Sequence, residues 1–441
     1  MDNEFKEGKE PYNAFLLLSM VIFTLGTFTL ETFISSRNIE MICIVLTVIT
    51  LIIAYLISNK RITIYKVEIM WLFFIFYFIL NIAFHEKIEL LNIIDLVTFT
   101  FMFIFLLLVK IDTKYFKISI VIILLLSIIY SLSSIFQYLN IDLYRRLILP
   151  RFSVDRAQEL WRLYSGGSYT GFTWQTAFIS GYIVCGLGII LLSYNYIKNT
   201  KMRFILLVNI PILLIALFMG GKRAHLIFMI IAFLVTYIFS KGNKKLIVRM
   251  LKAVLLIFML VLFAILSMII IDKDEGPFIN LLTKFNDTIE SFLAGEDITS
   301  GRIHLYDYAL QYFLDNPFIG IGWREFKEVS VGVINMNKGS HPHNIYIQLL
   351  TELGIPGFIL FIIPTIYILV ITFKLLLNYN NTFEGCMKWK FYIQFSLYIQ
   401  IFFLLYGITG NLLTDHLYLY MYMFAVAIIL SAIKYSKIKK S

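Results

Sequence analysis

The chain has 441 residues, of which 59% are apolar, 17% aromatic and only 15% charged. No soluble fold hides that much apolar surface, so an arrangement of two or three soluble domains is excluded. Its formal charge of +10 would ordinarily raise nucleic-acid binding, but the apolar residues come in runs of about 17 to 25, the length that crosses a bilayer's hydrocarbon core.

Reading these runs between charged punctuation predicts an all-α, polytopic membrane helix bundle of about 12 transmembrane helices. The spans lie near residues 14–34, 39–58, 65–84, 91–109, 118–139, 171–195, 204–219, 223–239, 253–271, 344–373, 391–409 and 416–433. The first does not read as a cleavable signal peptide, because Lys6 and Lys9 before it are mixed with Asp2, Glu4, Glu7 and Glu10 and no small-residue cleavage site follows. Two connections are long. The chain therefore divides into N-terminal spans (1–139), a first extracytoplasmic loop (140–170), central spans (171–271), a large helical extracytoplasmic loop (272–343) and C-terminal spans with a cytoplasmic tail (344–441).

The side on which each loop sits follows from the positive-inside rule. With the N-terminus inside, alternate connections carry Lys60/Arg61/Lys66, Lys110/Lys114/Lys117, Lys198/Lys201/Arg203, Lys241 to Lys252, Lys374/Lys388/Lys390 and the tail Lys434 to Lys440. Both termini are then cytoplasmic and both long loops face outward. The surplus of positive charge is a topology signal and implies no nucleic-acid partner. Arginine breaks the trend: Arg37, Arg145, Arg146, Arg151, Arg156, Arg162, Arg223, Arg302 and Arg324 fall outside. A guanidinium fork grips phosphate or carboxylate bidentately, which gives external arginines a reason to exist beyond topology. Lipid headgroups or neighbours such as Asp142, Asp155 and Glu159 are the competing partners for the cluster at 145–162.

In the second long loop, Thr299 or Ser300 is a helix cap, Ile303, Tyr306, Leu310, Phe313 and Leu314 form an apolar stripe, and Asn316-Pro317 is a stop. This predicts an amphipathic helix with Arg302 in its first turn, where a helix dipole disfavours a cation. Arg223 repeats the pattern at the start of the eighth span, after Gly220-Gly221-Lys222, and His343 repeats it at the start of the tenth, after His341-Pro342. Positive or protonatable groups at three outward helix N-termini call for an anion among them, and a diphosphate satisfies all three. Those surroundings favour a neutral His343 able to accept a proton.

Other readings are weaker. His341 and His343 form an H-x-H pair without a third ligand at metal spacing, so neither a metal nor any other cofactor is expected. Asp272-Lys273-Asp274 reads as solvated loop charge. Asp95, inside the fourth span, is a functional candidate as an intramembrane carboxylate unless it reaches the interface. Glu352 lies about half a turn out of phase with His343, so the two cannot share a face unless Gly354 and Pro356 break that helix into a short re-entrant piece.

Four segments carry a family resemblance. HPHNIYIQLLTELGIPGFILF (341–361), with its His-Asn opening and its Glu-x-Gly-x-x-Gly, resembles the signature of the O-antigen ligase and Wzy-type polymerase superfamily. GRIHLYDYALQYFLDNPFIGIGWREF (301–326) is similar to that family's preceding segment, with a Gly-Arg start and an Asn-Pro-x-x-Gly-x-Gly end. GGKRAHLIF (220–228) resembles its Ser-Arg-Gly segment, with Lys222 and Ala224 in place of the usual Ser and Gly. LYSGGSYTGFTWQTAFISGYI (163–183) is a weaker match, with Phe172-Thr173-Trp174 where Asn-Pro-Asn is common.

The resemblance implies a metal-independent, inverting membrane glycosyltransferase with a polyprenyl-diphosphate-linked glycan as donor and a sugar hydroxyl as acceptor. It implies that Arg223 and Arg302 bind the diphosphate and that His343 assists the acceptor. Lys222, Arg162, His341, Asn344 and Glu352 are further candidates around the substrate, and aromatic residues such as Tyr164, Tyr169, Trp174 and Trp323 are candidate platforms for sugar rings. The expected function is polymerisation of lipid-linked repeat units for a capsule, O-antigen or exopolysaccharide at a bacterial inner (cytoplasmic) membrane, with a flippase and a chain-length regulator as partners. The alternatives are an O-antigen-type ligase delivering finished glycan to a final acceptor, and a transporter of polyprenyl-linked sugars. A transporter would show related halves and charges at mid-bilayer.

Overall fold

A chain segment surrounded by hydrocarbon must satisfy its own backbone N–H and C=O groups, which is why these apolar runs fold as helices. The computed structural model describes residues 10–29, 32–33, 37–58, 62–85, 89–194, 196–240, 302–333, 339–383 and 388–440, with the scattered positions 283, 286–287, 290–291 and 293–294. The helices among them are α1 (Glu10–Phe28), α2 (Arg37–Ser58), α3 (Lys66–Phe84), α4 (Leu90–Leu108), α5 (Thr113–Leu139), α6 (Ile141–Leu147), α7 (Val154–Ser165), α8 (Thr176–Ser193), α9 (Thr200–Met219), α10 (Arg223–Phe239), α11 (Arg302–Asp315), α12 (Glu325–Val329), α13 (Ile345–Leu377), α14 (Tyr379–Phe383), α15 (Lys388–Tyr406) and α16 (His416–Lys440).

Nine helices among the described residues are long and apolar enough to cross a membrane, and α10 is a shorter apolar helix of the same kind. The protein is an all-α, multi-pass membrane protein. The predicted span at 253–271, Asp272-Lys273-Asp274 and the Thr299/Ser300 cap lie outside the described residues, and every other predicted span falls on a helix. The described chain forms two compact units that interleave in sequence. The first comprises Met1–Lys60, Ile111–Asn286 and Leu375–Ile399, and the second Arg61–Lys110, Asp287–Lys374 and Gln400–Ser441.

In the first unit, α1 packs on α2 and α5, α5 packs on α8 and α9, and α8 also meets α9 and α10. The innermost of these is α8, 89% of which is buried. Its small residues let neighbours come close, and hydroxyls bond the helix backbone across the interface, the usual way of joining helices that gain nothing by hiding from lipid. Ser127 Oγ donates to Tyr182 O at 2.7 Å, and Tyr398 OH donates to Val184 O at 2.9 Å.

The second unit is built on α3, α4, the long α13 and α16, with α4 packed on both α3 and α16. Lys110, one of the predicted cluster of cytoplasmic cations, is buried, its Nζ 2.6 Å from Glu68 Oε1. Glu68 also accepts the Tyr65 N–H at 2.6 Å, as the third residue of α3 reaching back in a capping box.

Two features of this unit differ from or sharpen the sequence reading. Helix α11 does form, but Ile303, Leu310 and Leu314 of its expected apolar stripe are exposed, while Leu305 and Ala309 are buried against Phe326. The second feature is the break in α13. Gly354 has φ 68° and ψ −174°, outside helical space, so the helix is a front piece ending at Leu353 followed by a long span.

The 317–322 loop supplies what the break leaves unbonded. Ile321 N–H donates to Thr351 O (2.9 Å), Gly322 N–H to Glu352 O (3.1 Å) and Ile355 N–H to Pro317 O (2.8 Å). Tyr77 OH donates to Leu353 O at 2.7 Å. The approach is close enough that a Cβ on Gly354 would lie 2.5 Å from Phe318 O, and one on Gly320 would lie 2.5 Å from Glu352 O. These contacts explain two glycines of the family-like motifs as a backbone-to-backbone seam. Gly354→Ala should cost about 1–3 kcal/mol in backbone strain before the clash is added. Its unfolding midpoint in detergent should fall well below that of Gly332→Ala, since Gly332 also has positive φ but has nothing within 4 Å of its would-be Cβ. Equal midpoints would refute the seam.

Candidate functional site

In the second unit, helix α13 starts from Asn344. Its Oδ1 accepts the N–H of Tyr346 at 2.9 Å and of Ile347 at 3.2 Å, the arrangement of a helix N-cap. The capping residue is therefore Asn344, and His343 lies one position before the helix instead of at its start. His343 has φ 53°, and Arg324 with φ 68° is the only other non-glycine residue with positive φ among the described residues. A backbone held in this left-handed region persists only where its surroundings enforce it.

Those surroundings are the end of α15 and the short turn after it. Ile345 N–H donates to Gly407 O at 2.8 Å, Tyr346 OH to Leu404 O at 2.7 Å and Tyr306 OH to Ile408 O at 3.4 Å. Arg302, the first residue of α11, donates from its guanidinium to Thr409 O at 3.3 Å. Asn411 Nδ2 sits 3.0 Å from His343 Nδ1, and Ser340 Oγ sits 3.4 Å from His343 Nε2. Arg302 and His343 are thus anchored on one five-residue turn, 407–411, although 41 positions separate them in the chain.

Beside this lies a buried polar cluster. Asp95, in α4, is 1% exposed. It accepts from Trp323 Nε1 at 2.6 Å, from Arg324 Nε at 2.6 Å and Arg324 NH2 at 2.9 Å, and its Oδ1 is 2.9 Å from His416 Nε2. The sequence singled out Asp95 as an intramembrane carboxylate, and the structure gives it a structural partner set. Trp323, a candidate sugar platform in the sequence, is 2% exposed, its indole N–H is bonded to Asp95, and its ring packs edge-on with Phe78 and Phe99. Glu352 is fully buried and accepts from Gln348 Nε2 at 2.9 Å. His341 is half-buried; desolvation, with the cations Arg324 and Lys327, pushes its pKa down to about 3, so its ring is neutral at neutral pH.

In the first unit, Lys222 and Arg223 open α10. Lys222 is the N-cap, and its side chain, which has no acceptor to offer, makes no cap hydrogen bond. Gly221, with φ 64°, turns the chain into it, and Tyr169 N–H ties the preceding end of α9 by donating to Met219 O at 2.9 Å. The Arg-rich first loop is largely occupied by its own neighbours. Arg162 makes a bidentate pair with Glu159 on the same helix, at 2.8 and 2.6 Å, and is 73% exposed. Arg145 lies 3.8 Å from the Trp161 ring centre and Arg156 5.2 Å from that of Trp174. Trp174 itself packs on a small core of Tyr144, Phe152 and Leu160, so it is partly a packing residue.

Residues 207–362 match the O-antigen ligase family, Wzy_C. The match covers 156 of the 441 residues and shows a segment similar to that family. No curated protein matches the sequence. The Wzy_C segment contains Lys222, Arg223, Arg302, Trp323, His341, His343, Asn344 and Glu352, and leaves out Arg162 and Trp174. It also leaves out Asn411 and His416, which the sequence reading missed. Neither stands in a motif, and each is marked only by a partner far away in the chain.

Proposed function

We propose that this Wzy_C protein is a membrane glycosyltransferase that polymerises polyprenyl-diphosphate-linked oligosaccharide repeat units on the extracytoplasmic face of a bacterial cell membrane, with both termini cytoplasmic. The observation that carries this reading is the anchoring of Arg302 and His343 on one turn: a fixed cation and a fixed imidazole, both within the matched segment. An acceptor hydroxyl attacks the anomeric carbon of the donor with inversion, and the lipid diphosphate leaves. Because diphosphate is a good leaving group, the main demands are orientation and charge stabilisation. Arg302 and Arg223, with Lys222, are the candidates for binding the diphosphate, and His343 handles the hydroxyl proton. The bilayer, the lipid-linked donor and the sugar acceptor are the partners, with a flippase upstream and a chain-length regulator alongside; no step calls for a metal.

The test is elongation by the purified protein of lipid-linked oligosaccharide extracted from cells that lack it. Arg302→Ala and Arg223→Ala should each lower kcat/KM by roughly 10²–10³-fold, and wild-type kinetics in both would remove the diphosphate assignment. The family's description as O-antigen ligase favours a second reading, in which finished glycan is moved to a final acceptor. A deletion strain that accumulates single lipid-linked units supports the polymerase, whereas one that accumulates long lipid-linked polymer supports the ligase.

A further inference from the structure

We propose that Asn411 is a positioning residue that sets which ring nitrogen of His343 carries the proton and thereby switches the ring between donor and base. The proposal rests on the reading of His343 as the group that handles the acceptor proton. As placed, the Asn411 amide nitrogen is 3.0 Å from His343 Nδ1. An amide N–H can only donate, so Nδ1 contributes its lone pair and the neutral ring carries its proton on Nε2, facing Ser340 Oγ at 3.4 Å. In that form Nε2 is a donor and cannot take a proton from a sugar hydroxyl.

Asn411 Oδ1 is meanwhile buried, with no hydrogen-bond partner among the described residues. Turning the amide over exchanges its two ends: Oδ1 then accepts Nδ1–H, the orphaned oxygen is satisfied, and the Nε2 lone pair is released for use as a base. A carboxylate at 411 would support only the second form, and an alanine neither. Asparagine serves both, and the backbone around it is fixed independently, since Asn411 O accepts the N–H of Asp415 at 2.8 Å and of Thr414 at 3.1 Å.

The step balances without a further reactant. The acceptor O–H bond breaks as the new bond to the anomeric carbon forms, the bond from that carbon to the diphosphate oxygen breaks, and the proton passes to Nε2. The imidazolium holds its Nδ1–H on Asn411 Oδ1 until Nε2 returns its proton to water. The titratable and charged groups on the elements around the ring include His341 on its own loop, Tyr346 and Glu352 on α13, Arg302 and Tyr306 on α11, Arg324 and Lys327 at α12, and Asp415 and His416 leading into α16.

The experiment measures kcat and KM from about pH 5 to about pH 9 for the full-length chain in detergent. The substrate is lipid-linked oligosaccharide extracted from cells lacking the protein, and the variants are Asn411→Ala, Asn411→Asp and His343→Asn. Asn411→Ala should lower kcat by about 10- to 100-fold with KM within about twofold, as expected where only the reactive form of the ring is lost. Asn411→Asp should recover rate at high pH and move the acidic limb of the profile upward by about one pH unit, because a carboxylate stabilises the imidazolium. Wild-type rates for Asn411→Ala, or an unshifted profile for Asn411→Asp, overturn the proposal. Should His343→Asn itself remain active, the reading of His343 falls; should it be inactive while both Asn411 variants behave as wild type, only the role of Asn411 falls.

Discussion

Replacing His343 by Asn is expected to lower the rate of glycosyl transfer by roughly 10²–10⁴-fold, the usual contribution of a positioned acid–base group, while expression and elution from a sizing column stay unchanged. Asn is a better replacement than Ala because of the backbone at this position. With φ 53° at His343, alanine would add about 1–2 kcal/mol of left-handed strain, whereas Asn enters that region routinely. The variant therefore removes the imidazole and leaves the turn into α13 intact. Full-length polymer made at the wild-type rate by His343→Asn would sink the catalytic assignment. Loss of folded protein would show that the ring holds the loop instead of serving the acceptor.

The second large effect is one of stability. Asp95→Ala is expected to destabilise the second unit by about 3–5 kcal/mol, since removing one partner of a buried ion pair strands the other. Here three donors lose their acceptor together: the indole N–H of Trp323, the Arg324 guanidinium and the His416 ring. Against a total stability of about 5–15 kcal/mol that is a large fraction. The unfolding midpoint in detergent should fall by about 5–10 °C. Asp95→Asn should lie between the variant and wild type, because an amide oxygen still accepts one of the bonds. A midpoint for Asp95→Ala within about 2 °C of wild type would mean that the cluster contributes little.

The two results bear on what the sequence could and could not reveal. Spans were legible because crossing a bilayer forces a long apolar run, and the break at Gly354 was legible as a Gly and a Pro two positions apart in one such run. The packed face of α11 was not. In a membrane protein an apolar side chain is as comfortable against lipid as against protein, so Ile303, Leu310 and Leu314 carried the hydrophobic signal while the smaller Ala309 made the contact. The candidate site was legible where motif residues stand near one another, as in His341 to Glu352. It was illegible where a side chain's partner is distant. Arg162 and Trp323 looked available from composition alone, yet one is engaged by Glu159 and the other by Asp95. Asn411 lies in a short connection with no motif, and only folding brings it to His343.

The Asp95 cluster also constrains how the protein is made. Its partners Arg324 and His416 come 229 and 321 positions later, so α4 enters the membrane with a carboxylate whose counter-charges do not yet exist. At about 5–20 residues per second, the ribosome delivers His416 roughly 15–60 s after Asp95. The second unit can close only when the last helix arrives, and until then the nascent chain depends on the insertion machinery or on water to shelter that charge. Chains that stop before α16 should accordingly be poor clients for release into the bilayer and early targets for membrane proteolysis.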